Sequence, residues 1–413
     1  MRIGKQSLDK RDLITYWSFC AYACCTVVLP LVLVELFKSL NFPLDCGNKG
    51  AAGFLQMALS IFMVFSMLAC GFCAGRWGKA RSLAFANILL GVGIMALAFC
   101  PNYWLVVIVL AIAGLGEGFL EGLLTPYVQD CHPVEPTGYL NIAQAFSPGG
   151  MLLMVGITAL LPLFGLSWKV AIFIAGGMAV IPGILFFFPF MQAKRDEPEE
   201  KLSFSTVAKQ SADILKRIKF WIFFLAMFCE GIGEFCITFW IAGYLQLEYG
   251  ASETVASLAL GTWTFFMFLS RLAVGYWVKQ AQLRGTLIWL SVLTVVITPL
   301  FPLVTLLSNV HLVIGIIFVL LAVTGSLIAP FWVSIQSYCT VCMPEQDDTM
   351  IFILLSCAGI PGMGVAAWLM GVLGDSIGLT LAFLLAPVSY LIMLLALLPQ
   401  RAPKQNNPGK LSE

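Results

Sequence analysis

Charge is the property that this sequence has least of. Only 11% of its 413 residues are charged and 60% are hydrophobic, whereas a soluble domain carries roughly 25% charged residues. An apolar excess of this size cannot be covered inside a water-soluble core. This excludes an ordinary soluble protein and makes lipid the expected solvent. The formal net charge of +1 gives no basis for a nucleic-acid partner.

Motifs for catalysis are also missing. The sequence has no phosphate-binding loop, metal-ligand cluster or nucleophile–base arrangement, so we predict no enzymatic activity, no metal and no cofactor. The two histidines, His132 and His311, fall in predicted loops. The 13 cysteines lack framework spacing and are expected to be small apolar fillers. The alternative for Cys46 and Cys100, which fall near one membrane face, is a disulfide.

Long apolar segments are abundant. A membrane-spanning helix needs about 20 apolar residues, and the sequence contains twelve such segments: 13–37, 51–75, 82–100, 103–128, 139–163, 168–192, 219–246, 251–277, 285–307, 310–338, 349–373 and 378–399. The first is too long for a signal-peptide core, so no cleavable signal is expected. We predict an all-α integral membrane protein with twelve transmembrane helices in two pseudo-symmetric six-helix bundles.

The predicted organisation follows from a charged stretch in the middle of the chain. The units are an N-terminal bundle (1–192), a cytoplasmic linker (193–218), a C-terminal bundle (219–400) and a cytoplasmic tail (401–413). The second part of the linker, from Phe204 to Lys216, is expected to form a short surface helix. No partner other than the bilayer, a small-molecule substrate and a coupling cation is predicted, and the protein is expected to be monomeric.

The distribution of lysine and arginine predicts the orientation. With the N-terminus placed in the cytoplasm, 19 of these residues fall in the tails and loops on that side, and only Lys38, Lys49 and Lys169 fall on the other. Basic residues accumulate in cytoplasmic loops. Both termini are therefore predicted to be cytoplasmic, in a multi-pass protein of the cell (inner) membrane.

Three short patterns recur in the same order and spacing in the two halves. S-M-L-A-C-G at 66–71 is matched by S-R-L-A-V-G at 270–275, and A-F-S-P-G at 145–149 by A-G-I-P-G at 358–362. Gly118 precedes Gln129 by eleven positions, as Gly325 precedes Gln336. Duplicated membrane bundles hold their substrate between the repeats near the bilayer midplane. The symmetry thus predicts where the site lies.

Four glutamates interrupt the apolar spans. Glu117 and Glu121 lie in the fourth span, and Glu230 and Glu234 lie in the seventh. A four-residue spacing places each pair on one helix face, where two bare carboxylates would repel each other, so one of each pair is expected to hold a proton or find a partner. Ionisable groups inside a membrane are functional candidates, and all four are predicted to be proton-coupling residues. The alternative is a structural hydrogen bond between helices.

Amides and aromatic rings in the spans predict a polar ligand. Amides bond hydroxyl groups, and rings cover the apolar face of a sugar. The predicted substrate-binding residues are Glu121, Asn141, Gln144, Trp240, Tyr244 and Gln336. Aromatic belts at the membrane interface are an alternative explanation of the tryptophan and tyrosine positions. Arg271, a cation within the eighth span, is predicted to make a gating contact or to pair with an acid.

The turn at 71–81, G-F-C-A-G-R-W-G-K-A-R, resembles the loop between spans two and three of the major facilitator superfamily. The resemblance implies a gating role for Arg76 and Lys79. The turn departs from the family pattern at Gly75, where the family has an acid. The charge relay that locks the outward-facing state is therefore expected to be weaker or built differently.

Within the superfamily, the sequence is most similar to the fucose–proton symporter and sodium-glucose-type group. E-G-L-L-T-P-Y at 121–127 resembles that group's E-T-A-A-N-P-F, and L-N-I-A-Q-A-F-S at 140–147 resembles L-N-L-A-Q-T-F-N. A G-x-x-E-x5-W-x3-Y spacing is kept by Gly231, Glu234, Trp240 and Tyr244. Two positions depart: Thr26 replaces the acid of span one, and Ser147 replaces an asparagine.

These features predict a secondary transporter that works by alternating access. The leading hypothesis is uptake of a small neutral sugar or polyol, coupled to a proton or sodium gradient through the glutamates. The second is a proton-coupled efflux carrier for a drug, metabolite or siderophore, for which a wide pocket of phenylalanine and methionine is expected. A third is a receptor or scaffold that uses a transporter fold without flux.

Overall fold

The computed structural model describes residues 2–3, 6–7, 9–132, 136–191, 204–277 and 282–401. Two-residue strands, Arg2–Ile3 and Gln6–Ser7, pair antiparallel before the first helix. The described part contains sixteen α-helices: α1 (Lys10–Ser39), α2 (Lys49–Trp77), α3 (Lys79–Ala96), α4 (Tyr103–Cys131), α5 (Pro136–Leu160), α6 (Lys169–Leu185), α7 (Phe204–Leu215), α8 (Ile218–Tyr249), α9 (Glu253–Trp277), α10 (Leu283–Ile297), α11 (Leu300–Val304), α12 (Val310–Ile328), α13 (Phe331–Cys342), α14 (Asp348–Ile377), α15 (Leu379–Ala382) and α16 (Leu385–Leu397).

The prediction of an all-α membrane protein is confirmed. Among the described residues, eleven helical segments are long and apolar enough to cross a membrane. The sixth predicted span, 168–192, contains α6, a shorter apolar helix that ends at Leu185. The short helix expected in the linker is α7, whereas 193–203 and the tail from 402 onward lie outside the described residues.

Some predicted spans consist of two helices. The ninth is divided between α10 and α11, with Pro299 as the N-cap of the second piece. The tenth is divided between α12 and α13, with Pro330 as the N-cap. A proline has no N–H to donate, and its fixed φ suits a helix start. These prolines therefore begin a new helix where the apolar segment itself continues.

Both ends of the helix bundle can be named from the path of the chain. The terminal face is the end at which α1 begins and α16 finishes, and the opposite face is the end at which α1 finishes and α2 begins. Helices α1 to α6 pack among themselves, and α8 to α16 do the same. The two groups meet along three seams, formed by α2 with α14, α5 with α9, and α1 with α8.

The two groups are joined closely at the opposite face. Asp375, near the end of α14, accepts hydrogen bonds from the backbone N–H groups of Lys49 (3.0 Å) and Gly50 (2.8 Å) at the start of α2. Thr254 on α9 donates to the carbonyl of Ala159 on α5 at 3.0 Å. These bonds cross from one group of helices to the other and close the seam on this side.

Water reaches the seam from the terminal face. Gln144 on α5 and Arg271 on α9 are exposed, and the guanidinium of Arg271 interacts electrostatically with Glu121 on the other group of helices. Tyr22 and Glu121, deeper on α1 and α4, are partly exposed. The pattern defines a cleft that is open at the terminal face and closed at the opposite face.

Candidate functional site

Two pairs of polar side chains connect α1 and α4 near the middle of both helices. The hydroxyl of Tyr22 donates to Oε2 of Glu121 at 3.3 Å, and the hydroxyl of Thr26 donates to Oε1 of Glu117 at 3.1 Å. Both helices use a four-residue spacing, so the two contacts lie one helical turn apart. We call these four residues the α1–α4 ladder. Each glutamate of the pair thus has a hydroxyl partner from another helix.

Close packing of α4 on α2 turns the two glutamates toward α1. Gly118 lies between them in sequence, and a Cβ there would come within 2.8 Å of the carbonyl carbon of Met63 and closer still to its oxygen. The absence of a side chain lets α2 approach this face of α4. This glycine therefore serves a neighbouring helix, and the acidic residues occupy the face on the other side.

Two members of the ladder are missed by the sequence prediction. Thr26 was identified only as a position without the acid of related carriers, and Tyr22 was not identified. The signal was present, because Tyr22 and Thr26 have the same four-residue spacing as the two acids. At position 26 a threonine stands where related carriers have an acid. Its hydroxyl can donate a hydrogen bond to an acid on α4.

The acidic pair of α8 has a different environment. Glu230 is 0% exposed, and neither of its carboxyl oxygens has a hydrogen-bond donor among the described residues. Glu234 is partly exposed, but its Oε2 is buried and likewise has no donor within that part of the chain. The two carboxyl groups interact directly with each other. The repulsion expected from the sequence is therefore not relieved by a neighbouring donor here.

Arg271 is within electrostatic reach of one acid from each pair. Its Nε donates to the carbonyl of Ala329 at 3.1 Å, and its charge interacts with both Glu121 and Glu230. That this cation makes a gating contact or is the partner of an acid stays a prediction. One cation is thus shared electrostatically by carboxyl groups on both sides of the cleft.

The predicted amides lie in different environments. Gln144 is exposed in the cleft, and its Nε2 is 3.4 Å from the hydroxyl of Thr125. Gln336 is buried, and its Nε2 donates to the carbonyl of Phe352 and to the hydroxyl of Ser356. The side chain of Asn141 lies outside the described residues. Gln144 is therefore the predicted amide that the structure presents to the cleft.

The predicted aromatic pair is packed within the second group of helices. Trp240 is 0% exposed, and its Nε1 donates to the carbonyl of Ala367 on α14 at 2.9 Å. The hydroxyl of Tyr244 lies 3.1 Å from Thr380 and 3.2 Å from Tyr249. Their polar atoms are satisfied by α14 and by residues around the ends of α8 and α15. The structure does not bring these rings to the α1–α4 ladder.

Charged side chains also connect helices at the terminal face. Lys79, at the start of α3, forms an ion pair with Asp130 near the end of α4 at 2.6 Å, and Arg76 is exposed at the end of α2. His132, to which the sequence analysis assigned no role, is 2.6 Å from Asp12 of α1. The Lys79 contact joins two helices of the same group, so it stabilises that group rather than the seam.

Thiols and metal ligands add nothing to the site. Cys46 and Cys100 are free thiols, so the disulfide considered for them is not formed. In the described ranges, no group of three or more histidine, cysteine, aspartate or glutamate side chains is arranged to hold a metal ion.

Comparison with protein families identifies the class. Residues 16–363 match the model of the Major Facilitator Superfamily, and the chain belongs to this family. It is a multi-pass membrane transporter of a small-molecule substrate and not an enzyme.

Two proteins of Arabidopsis thaliana are similar over short regions. Monosaccharide-sensing protein 2 is 29% identical over 158 residues, which are 37% of this chain and 21% of that protein. Polyol transporter 5 is 24% identical over 139 residues, 33% of this chain and 25% of that protein. Each match thus spans a quarter or less of the relative's own length.

Solved structures resemble the whole fold. The nucleoside transporter NupG aligns with a TM-score of 0.73 at 13% identity, over 95% of this chain and all of that chain. The D-xylose-proton symporter aligns with a TM-score of 0.71 at 15% identity, over 95% of this chain and 97% of that chain. At these identities the likeness shows a shared transporter fold.

Proposed function

We propose that the protein carries a small neutral sugar or polyol by alternating access, with units 1–192 and 219–400 rocking about the substrate and a proton or sodium gradient supplying the energy. The observation that supports this most is the α1–α4 ladder. It places two carboxyl and two hydroxyl groups near the middle of α1 and α4, beside the seam between the halves and in partial contact with water.

The ladder has the donors and acceptors that a polyhydroxyl ligand needs. The Tyr22–Glu121 contact of 3.3 Å is long for an O–H···O bond, which is commonly about 2.7–2.8 Å. A substrate hydroxyl that binds Glu121 at normal length therefore replaces a weak bond with a stronger one. The exposed amide of Gln144 adds further donors and an acceptor at the same side of the cleft.

The proposed substrate site is narrower than the set predicted from sequence. It retains Glu121, Gln144 and Asn141 and gains Tyr22 and Thr26. Trp240, Tyr244 and Gln336 are assigned to helix packing, because their polar atoms have partners within the second group of helices.

The chemistry of the ladder favours a polar solute over an efflux substrate. Its side chains are carboxyl and hydroxyl groups rather than the phenylalanine and methionine expected for an apolar drug. The similarity to Monosaccharide-sensing protein 2 and Polyol transporter 5 supports the same choice. The resemblance to the fucose–proton symporter group points to a sugar but not to fucose, because position 26 is a threonine.

The orientation of the protein in the membrane is assigned from the charge distribution. The terminal face carries the excess of lysine and arginine, so we assign it to the cytoplasm of a cell (inner) membrane. The cleft is then open inward, and the Asp375 contacts close the outward side. Substrate uptake requires these contacts to break once in every cycle.

The test is counterflow in liposomes containing the purified protein. Exchange of labelled for unlabelled substrate requires binding and alternation but no ion gradient, so it measures the site itself. A panel of pentoses, hexoses and linear polyols is compared for the wild type, Glu121→Gln, Tyr22→Phe and the control Glu248→Gln. Glu248 is an exposed acid on α8.

We expect exchange of at least one sugar or polyol by the wild type and by Glu248→Gln. Loss of the charged acceptor in Glu121→Gln should lower exchange at least about tenfold, since a hydrogen bond to a charged group contributes about 1.5–3 kcal/mol. Exchange of nucleosides or apolar drugs, with none of the sugars or polyols exchanged, would contradict the proposal and assign the protein to another substrate class.

A further inference from the structure

Buried oxygen atoms without hydrogen-bond partners belong to three neighbouring side chains in the second group of helices. Glu230 and Tyr390 are each 0% exposed. Neither the carboxyl oxygens of Glu230, nor Oε2 of Glu234, nor the hydroxyl of Tyr390 has a hydrogen-bond partner among the described residues. Tyr390, on α16, interacts with both glutamates. We call these three residues the α8 acid cluster.

The backbone of α8 is shaped to admit the tyrosine. A Cβ at Gly233 would lie 2.7 Å from Cε1 of Tyr390, so only glycine lets the ring rest against the helix between the two glutamates. Buried polar groups without partners are rare in folded proteins, and each calls for an explanation. Here the explanation must be a species that binds to carboxylates, because the unsatisfied oxygens of this cluster are carboxyl oxygens and the tyrosine hydroxyl beside them.

We propose that Glu230 and Glu234 share the one proton that moves with the substrate, with Glu230 as its buried store and Glu234 as its exchange point with water. This proposal rests on the proposed function for the substrate and adds the identity of the coupling site. It assigns coupling to the α8 acid cluster and leaves the α1–α4 ladder to bind the substrate.

The exposure of the two glutamates defines the path. A hydronium ion in the cleft transfers its proton to the carboxylate of the partly exposed Glu234 and leaves as water. The new O–H bond of Glu234 then breaks as an O–H bond on Glu230 forms, so the pair keeps a total charge of −1. The shared proton supplies the hydrogen bond that the two carboxyl groups otherwise lack, and the hydroxyl of Tyr390 can donate to the remaining acceptor.

The charged and titratable groups facing the pair are few. On α8 itself they are the two glutamates, α16 contributes Tyr390, and α9 contributes Arg271. The thiol of Cys236 faces Tyr390. α14 approaches this part of α8 with the backbone of Gly359, which lies against Gly231. Arg271 is thus the cation that responds to the charge of the pair.

Arg271 connects the proton to the substrate. It interacts with Glu121 in one half and with Glu230 in the other. When the pair loses its proton, its charge becomes −2 and it competes more strongly for the guanidinium. When the pair holds the proton, Arg271 is available to Glu121, and closing the cleft no longer buries that carboxylate without a cation beside it. Proton and substrate therefore favour each other's binding, as reciprocal linkage requires.

The experiment separates coupling from substrate exchange. Counterflow and accumulation driven by an inward proton gradient are measured in the same liposomes for wild type, Glu230→Gln, Tyr390→Phe and the control Glu248→Gln. We expect Glu230→Gln to keep counterflow within about twofold but to lose accumulation above equilibrium, because glutamine cannot release a proton. Tyr390→Phe should keep both activities, with the pH dependence of uptake displaced.

An infrared measurement tests the proton site without any substrate. The carbonyl stretch of a protonated carboxyl group is followed during a pH titration of the purified protein. We expect this band in the wild type and in Glu248→Gln, and its loss in Glu230→Gln. Accumulation by Glu230→Gln equal to the wild type, or an unchanged band in that variant, would overturn the proposal. Failure of the wild type to exchange any sugar or polyol would instead contradict the proposed function, and the band would still decide the proton site.

Discussion

The seam at the opposite face offers a sharp test of alternating access. Gly53 lies in the second turn of α2, where α14 crosses it, and a Cβ there would be 2.6 Å from the Cα of Trp368 and closer still to the carbonyl of Ala367. Ordinary van der Waals contact begins at 3.4 Å. Gly53→Ala must therefore move α2 away from α14 by at least about 0.8 Å, the difference between these two distances.

This strain acts on only one conformation. Overpacking a tight contact costs about 1–3 kcal/mol, and the cost disappears when the opposite face opens and the two helices separate. A change of this size shifts a two-state equilibrium by about 5- to 150-fold. The variant should therefore spend more time open at the opposite face, with its fold intact.

The fraction of molecules in which the seam is closed can be measured by cross-linking two of its own side chains. Nζ of Lys49 lies 4.0 Å from Oδ1 of Asp375, so a carbodiimide that couples amines to carboxylates joins them when the face is closed. The yield of the cross-linked peptide by mass spectrometry reports the closed fraction. Gly71→Ala on the same helix is the matched control, because nothing lies within 4 Å of a Cβ there.

We expect a lower cross-link yield in Gly53→Ala and an unchanged yield in Gly71→Ala. Equal yields in Gly53→Ala and wild type would refute the reasoning, since α2 would then have absorbed the methyl group without opening the seam. An equal decrease in both variants would refute it as well, because the effect would not depend on the contact.

Two other contacts give further predictions. A negative charge near the start of a helix stabilises that helix end by about 0.3–1 kcal/mol. Asp375→Asn removes this charge from the start of α2. The seam between α2 and α14 should therefore be open more of the time, and its residues should react faster with a water-soluble labelling reagent added at the opposite face. An unchanged rate of labelling would show that the Asp375 contact does not hold the seam closed. Tyr244→Phe removes the hydroxyl bonded to Thr380 and should lower the free energy of unfolding by about 0.5–1.5 kcal/mol. A higher KM for exchange in that variant would return Tyr244 to the substrate site.

The membrane spans could be predicted because they depend on little more than apolar length. Hydropathy locates a continuous apolar stretch. In the bilayer that stretch must be helical, because a helix satisfies its own backbone hydrogen bonds. Hydropathy does not locate the break at Pro330, because Val310 to Cys342 reads as one apolar stretch. Where a span divides depends on a single proline and its neighbours in space rather than on mean hydropathy.

The site was predicted less completely because it depends on how each helix is rotated. Four-residue spacing located the acids of α4 and α8, and that spacing is a property of one helix alone. Whether Trp240 faces the cleft or α14 depends on which side of α8 packs against its neighbours, and here the indole bonds to Ala367. Contacts of this kind involve residues far apart in the sequence, which a pattern within one segment does not reveal.

The internal repeat relates the position of Arg271 to an equivalent position in the first half of the chain. Gly118 packs against α2, and its counterpart Gly325 packs against α9, where a Cβ would be 2.8 Å from the carbonyl of Trp263. The repeated motifs are therefore equivalent helix contacts in the two halves. Within them, the position of Arg271 corresponds to Met67, which is buried. A shared scaffold thus carries a cation at this position in only one half, and that single difference places a positive charge within electrostatic reach of an acid in each half.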